Sequence, residues 1–232
     1  MINFTAAENF MLEKMSDSAH DCEHVYRVLN YALDIAEYER GVDYGLLITA
    51  CLLHDVGRAE QFTNPAIDHA QAGAKTAENW LITNGYAPKF AESVRDCIRT
   101  HRFRSDAPPQ SLEAKILFDA DKVDVCGAMG IVRTIQYCDT VSRPVYTLSP
   151  DGMVLDGTND GAPSMMQEYK FKLENLYGKF FTRRGTELAA ARRQNAAAVY
   201  SAILAEAQNC YANGKSAMSK IGLQVRRSAT AD

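Results

Sequence analysis

The sequence predicts an all-α protein, and three observations support this prediction. Apolar residues recur at helical spacing between Val25 and Ala36, so that this segment has one apolar face. Residues 44–56 are apolar nearly all round, which is typical of a helix buried at the centre of a fold. Residues 184–212 are rich in alanine, a strong helix former. Almost every other segment is also predicted to be helical.

Capping residues mark where the first predicted helices begin. Thr5 and Glu8 form a capping box that opens a first helix. Asp17 or Ser18 can cap the second helix, and Asp43 can cap the third. Further helices are predicted at about 69–84, 88–100 (which opens on a proline, a favoured first-turn residue), 112–123, 127–137, 164–180 and 184–212.

A long connection interrupts this helical pattern. Residues 138–163 are rich in proline and glycine, which predicts one long loop, and the apolar runs within it allow a short hairpin. A loop of this length in a compact domain is often a lid or a dimer contact. From residue 213 onward, small and basic residues without periodicity predict a mobile tail. The chain is therefore divided into a helical core at 1–137, a loop with C-terminal helices packed on that core at 138–212, and a tail at 213–232.

Composition narrows the class of protein. The 232 residues are 47% hydrophobic and 23% charged, which is ordinary for a globular protein and argues against disorder. The formal net charge of -4 gives no bulk attraction to nucleic acid or anionic lipid, so any phosphate binding has to come from a local site. The first residues do not resemble a signal peptide, and no apolar run approaches the length of a bilayer span. Six cysteines without a C-x-x-C pair favour reduced thiols and a cytoplasmic location.

The adjacent pair His54-Asp55 is the strongest functional candidate that the residues alone provide. Both polar residues end a predicted helix that is otherwise apolar on all sides. Because a buried carboxylate without a partner costs several kcal/mol, Asp55 needs a compensating group. In an ordinary structural role, Asp55 would cap a neighbouring helix or pair with an arginine such as Arg58. A divalent cation would instead satisfy both members of the pair at once.

Two other segments carry polar groups that are ambiguous when taken alone. His24 and Arg27 share a helix face, and His24 could be a solvated residue of that face. Three carboxylates, Asp119, Asp121 and Asp124, surround a lysine between apolar stretches. They could form a charged helix end, or their mutual repulsion could be relieved by a cation.

The order His24, His54-Asp55, Asp121 resembles the H…HD…D pattern that defines the HD-domain superfamily. The similarity covers about residues 15–135 and is strongest to the small bacterial HD hydrolases, in the branch similar to nucleotide pyrophosphohydrolases. It implies a single HD-domain helical bundle with C-terminal helices. Six blocks carry the resemblance in order: His20-Asp21-x-x-His24-Val25-x-Arg27-Val28, Leu52-Leu53-His54-Asp55-Val56-Gly57, His69-Ala70-x-x-Gly73-Ala74, Ile98-x-x-His101, Asp119-Ala120-Asp121-Lys122-Val123-Asp124 and Gly127-Ala128-Met129-Gly130-Ile131.

The resemblance implies that His24, His54, Asp55 and Asp121 hold a metal ion. Two imidazoles and two carboxylates suit one divalent ion (Mn²⁺, Mg²⁺, Co²⁺, Ni²⁺ or Fe²⁺) in octahedral geometry, with open positions for water and substrate. Such an ion lowers the pKa of bound water and polarises a phosphoryl oxygen. The implied reaction is the hydrolysis of a phosphate ester or anhydride by metal-activated water.

Five further residues are secondary candidates. In HD proteins with two metals, extra histidines lie between the HD pair and the last aspartate; in single-metal hydrolases, similar histidines face the phosphate and act in catalysis. One metal ion is favoured here, and a second ion is allowed. The remaining cations could neutralise or orient phosphate, although each is more often a surface or structural residue. The candidates are His69, His101 and Lys122 for catalysis, and Arg27 and Arg58 for substrate binding.

The implied substrate is a small phosphorylated molecule. Cleavage of a nucleoside triphosphate to the monophosphate and pyrophosphate is favoured, whereas stable binding to nucleic acid or to a membrane is not expected. Two alternatives stay open: a two-metal HD protein, either a di-iron type of oxygenase or a phosphodiesterase, and a non-catalytic HD module that only binds nucleotide. The C-terminal helices could form a homodimer or close the pocket, and the sequence does not choose between these roles.

Overall fold

A computed structural model describes residues 2–15, 22–64, 66–102 and 108–229 of the chain. Within these ranges the structure is helical and contains no β-strand apart from one isolated antiparallel bridge between Leu148 and Val154. The prediction of an all-α fold is therefore confirmed. The chain forms two compact units, one of Met1–Cys126 with Leu176–Ala191, and the other of Gly127–Asn175 with Arg192–Asp232.

The helices follow one another along the chain, and the last of them belongs to both units. Residues up to Ala191 of this last helix lie in the first unit, and its remainder lies in the second. A π-helical turn, Tyr169–Leu173, follows the ninth helix directly. In chain order the α-helices of the described residues are α1 (Phe4–Lys14), α2 (Cys22–Ala36), α3 (Tyr44–Leu53), α4 (Arg58–Thr63), α5 (His69–Thr83), α6 (Pro88–Arg99), α7 (Leu112–Asp124), α8 (Ala128–Thr140), α9 (Met165–Glu168) and α10 (Arg183–Ala229).

The first unit is built around α3. This helix packs against α1, α2, α6 and α7, and its side chains Leu47, Ala50, Cys51 and Leu53 are fully buried. A helix that is apolar on every side gains most when other helices cover all of its faces. The prediction of a buried central helix is therefore confirmed, and α3 delivers the residues that follow it into the middle of the unit.

The start of α1 differs from the prediction. The N-cap is Asn3, whose side-chain oxygen accepts a hydrogen bond from the backbone N–H of Ala6 at 3.0 Å. Thr5 therefore lies inside the helix, and the capping box predicted for Thr5 and Glu8 is wrong. Asparagine is at least as good an N-cap as threonine, so the helix begins one position before the predicted cap.

The other predicted helix starts have different outcomes. Asp43 caps α3 as predicted, because its side chain accepts a hydrogen bond from the backbone N–H of Leu46 at 3.0 Å. Pro88 occupies the first turn of α6, which also confirms the prediction. Asp17 and Ser18 lie outside the described residues.

A tight turn follows α3, which ends at Leu53 rather than near residue 56. Gly57 lies in this turn, and an ideal Cβ on it would be 2.4 Å from the backbone nitrogen of Gly73 and 2.4 Å from the carbonyl oxygen of His69. Only a residue without a Cβ allows two backbones to approach so closely. The turn therefore packs directly against α5, and the short helix α4, which the sequence analysis missed, follows at once.

In the second unit, α8 and α9 are joined by the predicted long loop. The loop begins after Thr140 rather than at residue 138, because α8 continues to that residue. Asp160 holds the loop together. Its carboxylate accepts hydrogen bonds from Thr147 Oγ1 at 2.6 Å, from Ser164 Oγ at 3.1 Å and from the backbone N–H of Gly157 at 2.9 Å. Where the sequence allowed a short hairpin, the loop contains a single antiparallel bridge between Leu148 and Val154.

The predicted bounds of the two C-terminal helices are wrong. The segment 164–180 forms only α9 and the π-helical turn, and Gly178 lies in the irregular stretch beyond them. By contrast, α10 continues to Ala229 instead of ending near residue 212. No proline interrupts it, and a nucleated helix extends by one hydrogen bond per residue without needing an apolar face. The mobility of residues 213–232 stays a prediction.

A helix that crosses a bilayer has to be both long and mostly apolar. None of the helices in the described part of the chain meets both requirements.

Candidate metal centre

Four of the five histidines of the chain converge with two aspartates inside the first unit. All six side chains are buried. The fifth histidine, His20, lies outside the described residues. The six residues come from five segments: His24 from α2, His54 and Asp55 from the turn after α3, His69 from the start of α5, His101 from just beyond the end of α6 and Asp121 from α7.

The four predicted metal ligands lie together. His24 Nε2 is 3.4 Å from His54 Nε2 and 3.2 Å from Asp121 Oδ1. Asp55 Oδ2 is 3.8 Å from His24 Nε2 and 3.6 Å from His54 Nε2. Neighbouring ligands of an octahedral ion with bonds of about 2.1 Å lie about 3 Å apart. These four separations are slightly longer than that spacing, and the ligand atoms of His24, His54 and Asp121 form a cluster in which all lie within 4.8 Å of one another.

A second cluster is formed by Asp55, His69 and His101. Asp55 Oδ1 is 3.5 Å from His69 Nε2 and 3.6 Å from His101 Nε2. Among the described residues, Asp55 Oδ1 and His69 Nε2 have no hydrogen-bond partner. Because buried polar atoms without partners are costly, a cation or a hydrogen-bond donor in this cluster would stabilise it. The carboxylate of Asp55 thus directs one oxygen toward each cluster.

Two of the imidazoles are held by the backbone. Nδ1 of His54 is 2.7 Å from the carbonyl oxygen of Cys51, and Nδ1 of His101 is 2.6 Å from that of Ile98. A carbonyl oxygen can only accept, so Nδ1 of each ring carries the proton and donates it. In the neutral ring, the lone pair is then on Nε2, which faces the centre and is the atom that a metal would bind.

The other two imidazoles are held by side chains. Nδ1 of His69 is 2.7 Å from Gln61 Oε1, and Nδ1 of His24 is 2.7 Å from Asp124 Oδ2. These oxygens are also acceptors, so the same tautomer follows for both rings. All four histidines therefore present Nε2 to the centre, as they must to ligate an ion.

Burial keeps two of these imidazoles, those of His54 and His69, neutral. It lowers the pKa of His54 to about 4. It also lowers the pKa of His69 far below its usual value, and the nearby charge of Arg58 acts in the same direction. A neutral ring is the form that binds metal, so a cation does not have to compete with a proton for these two nitrogens at neutral pH.

The carboxylates are the charged partners of the imidazoles. Burial alone would raise the pKa of Asp55, but the charge of Arg58 holds it well below its ordinary value. Burial acts in the same way on Asp121, and the charge of Lys122 outweighs it, so the pKa of Asp121 is also well below its ordinary value. Neutral nitrogens and ionised oxygens form a mixed donor set that suits a divalent cation and has no thiolate.

Arg58 forms the ion pair that the sequence left as an alternative to a metal. Its Nε lies 3.0 Å from Asp55 Oδ2. This pair accounts for only one oxygen of Asp55, since Oδ1 faces His69 and His101. The arginine therefore does not replace a cation at the second cluster. Its predicted role in substrate binding stays a prediction, and its side chain is 31% exposed.

Lys122 and Arg27 are both engaged by acidic residues of α7. Lys122 Nζ lies 2.6 Å from Asp121 Oδ2 and 3.1 Å from the carbonyl oxygen of His101. Arg27 donates from Nε to Asp124 Oδ1 at 2.7 Å and from Nη2 to Asp124 Oδ2 at 3.2 Å. The predicted catalytic role of Lys122 and the predicted phosphate contact of Arg27 stay predictions, and the structure gives each cation a position beside the centre.

Asp119 takes no part in the centre. Its carboxylate accepts hydrogen bonds from the backbone N–H of Phe181 at 2.9 Å and of Thr182 at 2.7 Å, and from Thr182 Oγ1 at 2.7 Å. A carboxylate at the start of a helix is favourable, and Asp119 thereby ties the beginning of α10 to α7. The three aspartates of α7 therefore contact different groups: Asp119 contacts residues 181–182, Asp121 lies beside His24 Nε2, and Asp124 lies beside His24 Nδ1.

Sequence reasoning missed the roles of Gln61 and Asp124. Asp124 follows the predicted ligand Asp121 by three positions on α7, and this spacing, which places both on one helix face, was an available signal. Gln61 gave no signal, because it lies on α4, whose presence the sequence did not reveal.

Comparison with known proteins finds a similarity to one family in the part of the chain that carries this geometry. A model of the HD domain matches residues 22–126. The Bacillus subtilis (strain 168) protein YpgQ, which is described as uncharacterized, is 29% identical over 133 residues, or 56% of this chain and 62% of YpgQ. The aligned part therefore spans less than two thirds of that relative.

Solved structures are similar over more of the chain. A predicted HD superfamily hydrolase from an uncultured Thermotogales bacterium is 29% identical, with a TM-score of 0.58 over 87% of this chain and 91% of that chain. The structure of Bacillus subtilis YpgQ in complex with ADP is 25% identical, with a TM-score of 0.63 over 85% of this chain and 95% of that chain. A Lactobacillus plantarum protein is 25% identical, with a TM-score of 0.69 over 89% of this chain and 98% of that chain.

The family match and the geometry coincide on the same residues. The matched range includes both clusters. His24, the His54-Asp55 pair and Asp121 lie near one another in the structure, and they follow one another along the chain as in the family pattern. Residues 22–126 match the HD domain, and over most of its length the chain is similar to a solved predicted hydrolase of the HD superfamily.

Proposed function

We propose that this chain is a metal-dependent phosphohydrolase that cleaves nucleotides, with nucleoside triphosphate to monophosphate and pyrophosphate as the favoured reaction. The position of Asp55 is the observation that carries the proposal. This buried carboxylate faces two groups of histidines, and one of its oxygens has no partner among the described residues. YpgQ has been solved with ADP, which supports a nucleotide as the ligand of this chain.

The four predicted ligands would hold the ion. A divalent ion bound by His24, His54, Asp55 and Asp121 would lower the pKa of a bound water and polarise a phosphoryl oxygen. The chain supplies neutral imidazoles for the ion and ionised carboxylates that offset its charge. Lys122, held against Asp121, keeps a positive charge at the edge of the site, where it can meet phosphate.

The number of ions depends on the second cluster. We favour one ion, with His69 and His101 facing the phosphate, where they exchange protons with water or with the leaving group. Since Asp55, His69 and His101 could also bind an ion, the alternative of a two-metal HD protein is retained, either a di-iron oxygenase or a phosphodiesterase. Elemental analysis of the purified protein should find one tightly bound equivalent per chain. Two tightly bound equivalents of metal per chain would favour a two-metal centre instead. If the metal is iron and the protein consumes oxygen, the protein is an oxygenase.

A substrate screen tests the reaction. Wild-type protein would be assayed on nucleoside mono-, di- and triphosphates with Mn²⁺, Mg²⁺, Co²⁺ or Ni²⁺, and phosphate and pyrophosphate would be measured separately. We expect Asp55→Asn to abolish product release. The matched control is Asp34→Asn, which removes an ion pair with Arg184 (Oδ1 to Nε 2.7 Å) elsewhere in the first unit and should retain activity. Equal turnover by wild type and Asp55→Asn would refute the proposal.

A non-catalytic HD module is the remaining alternative. It would bind nucleotide with measurable affinity while wild type and Asp55→Asn both released no product. We further propose that the protein acts in the cytoplasm on a small substrate, without stable binding to nucleic acid or membrane. A homodimer also stays a proposal, and light scattering of the purified chain would give the number of copies.

A further inference from the structure

Asp124 contacts the back of one histidine of the centre. Its Oδ2 lies 2.7 Å from His24 Nδ1, and both side chains are almost completely buried, at 1% exposure each. The opposite nitrogen of the same ring, Nε2, lies 3.2 Å from Asp121 Oδ1 and 3.4 Å from His54 Nε2. The imidazole of His24 therefore joins the carboxylate of Asp124 to the atoms of the centre.

This contact differs in kind from those of the other three histidines. His54 and His101 donate to backbone carbonyl oxygens, and His69 donates to the neutral amide of Gln61. Only His24, among these four rings, is paired with a carboxylate through Nδ1. A hydrogen bond to a charged acceptor is roughly twice as strong as one between neutral groups. It also pushes electron density toward the opposite nitrogen, which raises the basicity of a ligating ring.

Arg27 fixes the carboxylate in place. Its guanidinium donates to both oxygens of Asp124, to Oδ1 at 2.7 Å and to Oδ2 at 3.2 Å. These bonds satisfy the outer oxygen, and they balance a charge that would be costly to bury alone. The three residues belong to two helices, because Arg27 and His24 are on α2 and Asp124 is on α7. The carboxylate cannot turn away from His24 without breaking bonds to Arg27.

We propose that Asp124 is a positioning residue that makes His24 the most strongly bound nitrogen ligand of the metal centre, with Arg27 holding Asp124 in place. Asp124 fixes the tautomer and the plane of the His24 ring and supplies the negative charge behind it. This inference depends on the proposed metal centre, since it concerns how firmly one of its ligands binds the ion.

Metal affinity of matched variants tests the role of the charge. Mn²⁺ binding to the full chain would be measured by titration calorimetry for wild type, Asp124→Asn and Asp119→Asn. Loss of a carboxylate behind a metal-bound histidine weakens binding by about 10- to 100-fold, so we expect a shift of that size for Asp124→Asn. Asp119→Asn removes an equally buried charge of the same helix that faces residues 181–182, and it should lower the melting temperature while leaving the Mn²⁺ affinity unchanged. Unchanged affinity in Asp124→Asn would overturn the proposal.

The protonated nitrogen of His24 provides a second test that needs no variant. In metal-free wild type, long-range ¹H–¹⁵N NMR spectra should show the proton of His24 on Nδ1, hydrogen bonded and shifted far downfield. A proton on Nε2 alone would overturn the proposal even if the variants do not fold. If wild type binds no Mn²⁺ at all, the proposed function fails; if wild type binds Mn²⁺ and Asp124→Asn binds it equally well, only the positioning role fails.

Discussion

Replacing Gly57 by alanine should disturb both the stability and the metal site. A Cβ at this position would lie 2.4 Å from the nitrogen of Gly73, 2.4 Å from the carbonyl oxygen of His69 and 2.8 Å from the Cα of Gly73. All three neighbours are backbone atoms, which cannot rotate away as a side chain would. The turn that carries His54 and Asp55 would therefore have to move away from α5.

The expected size of the effect follows from this crowding. Overpacking typically costs about 1–3 kcal/mol, and rigid neighbours place Gly57→Ala at the upper end, near about 3 kcal/mol. In a chain of this length, each kcal/mol lowers the melting temperature by about 2–4 °C, so a decrease of about 6–12 °C is expected. Misplacing catalytic groups by about 1 Å can cost about 100-fold in rate, so the activity should fall further than the stability alone explains.

Two other glycines make this a graded series. A Cβ on Gly73 would lie 3.1 Å from the nitrogen of Gly57, but alanine is also preferred to glycine inside a helix by about 1 kcal/mol, so the two effects should nearly cancel. Gly178 is the matched control, because a Cβ there would have no atom within 4 Å. Thermal unfolding and Mn²⁺ titration would be measured for all three variants. If Gly57→Ala melts and binds Mn²⁺ like Gly178→Ala, the argument from close backbone approach is wrong.

Three further predictions concern pH, capping and metal. Burial lowers the pKa of His54 from 6.5 to about 4, so between these pH values the unfolded chain binds a proton that the folded protein does not. The free energy of unfolding is therefore at its full value above pH 6.5 and decreases as the pH falls toward 4. At about 1.4 kcal/mol per pH unit this loss is roughly 3 kcal/mol, and urea unfolding of metal-free protein that shows no decline over this range would contradict it. Asn3→Ala should destabilise the protein by about 1 kcal/mol in chemical denaturation, and Thr5→Ala should destabilise it by less. A larger loss of stability in Thr5→Ala than in Asn3→Ala would instead support Thr5 as the N-cap. Mn²⁺ at about 100 times its dissociation constant should raise the stability by about 2.7 kcal/mol, and His54→Ala should remove most of this gain; equal stabilisation of both proteins would place the ion elsewhere.

Helices with a clear apolar pattern or a clear capping residue could be predicted from the sequence. The continuous apolar run of residues 44–56 predicted that α3 is central, and the cap at Asp43 predicted where it begins. The order of His24, the His54-Asp55 pair and Asp121 predicted which side chains meet, because the family pattern already encodes that tertiary arrangement. Both kinds of information can be read along the chain without knowledge of any long-range contact.

Other features depend on contacts that no local pattern encodes. His24 and Asp124 are 100 positions apart, and although Asp124 shares a helix face with Asp121, that spacing does not reveal which residue Asp124 contacts. The approach of Gly57 to Gly73 likewise depends on how a turn packs against a helix. The extension of α10 was missed for another reason, since a helix that has already begun can continue through residues that have no apolar periodicity.

The four histidine anchors differ in how they would tolerate substitution during evolution. His54 and His101 are anchored by main-chain oxygens of Cys51 and Ile98, and the carbonyl groups remain whatever side chain these positions carry. Drift at either position can alter packing, but it leaves the acceptor in place. The rings of His24 and His69 depend instead on side chains, so a single codon change can remove either anchor. Half of the orientation of the site is thus inherited with the helical backbone, and the other half has to be maintained by selection on individual residues.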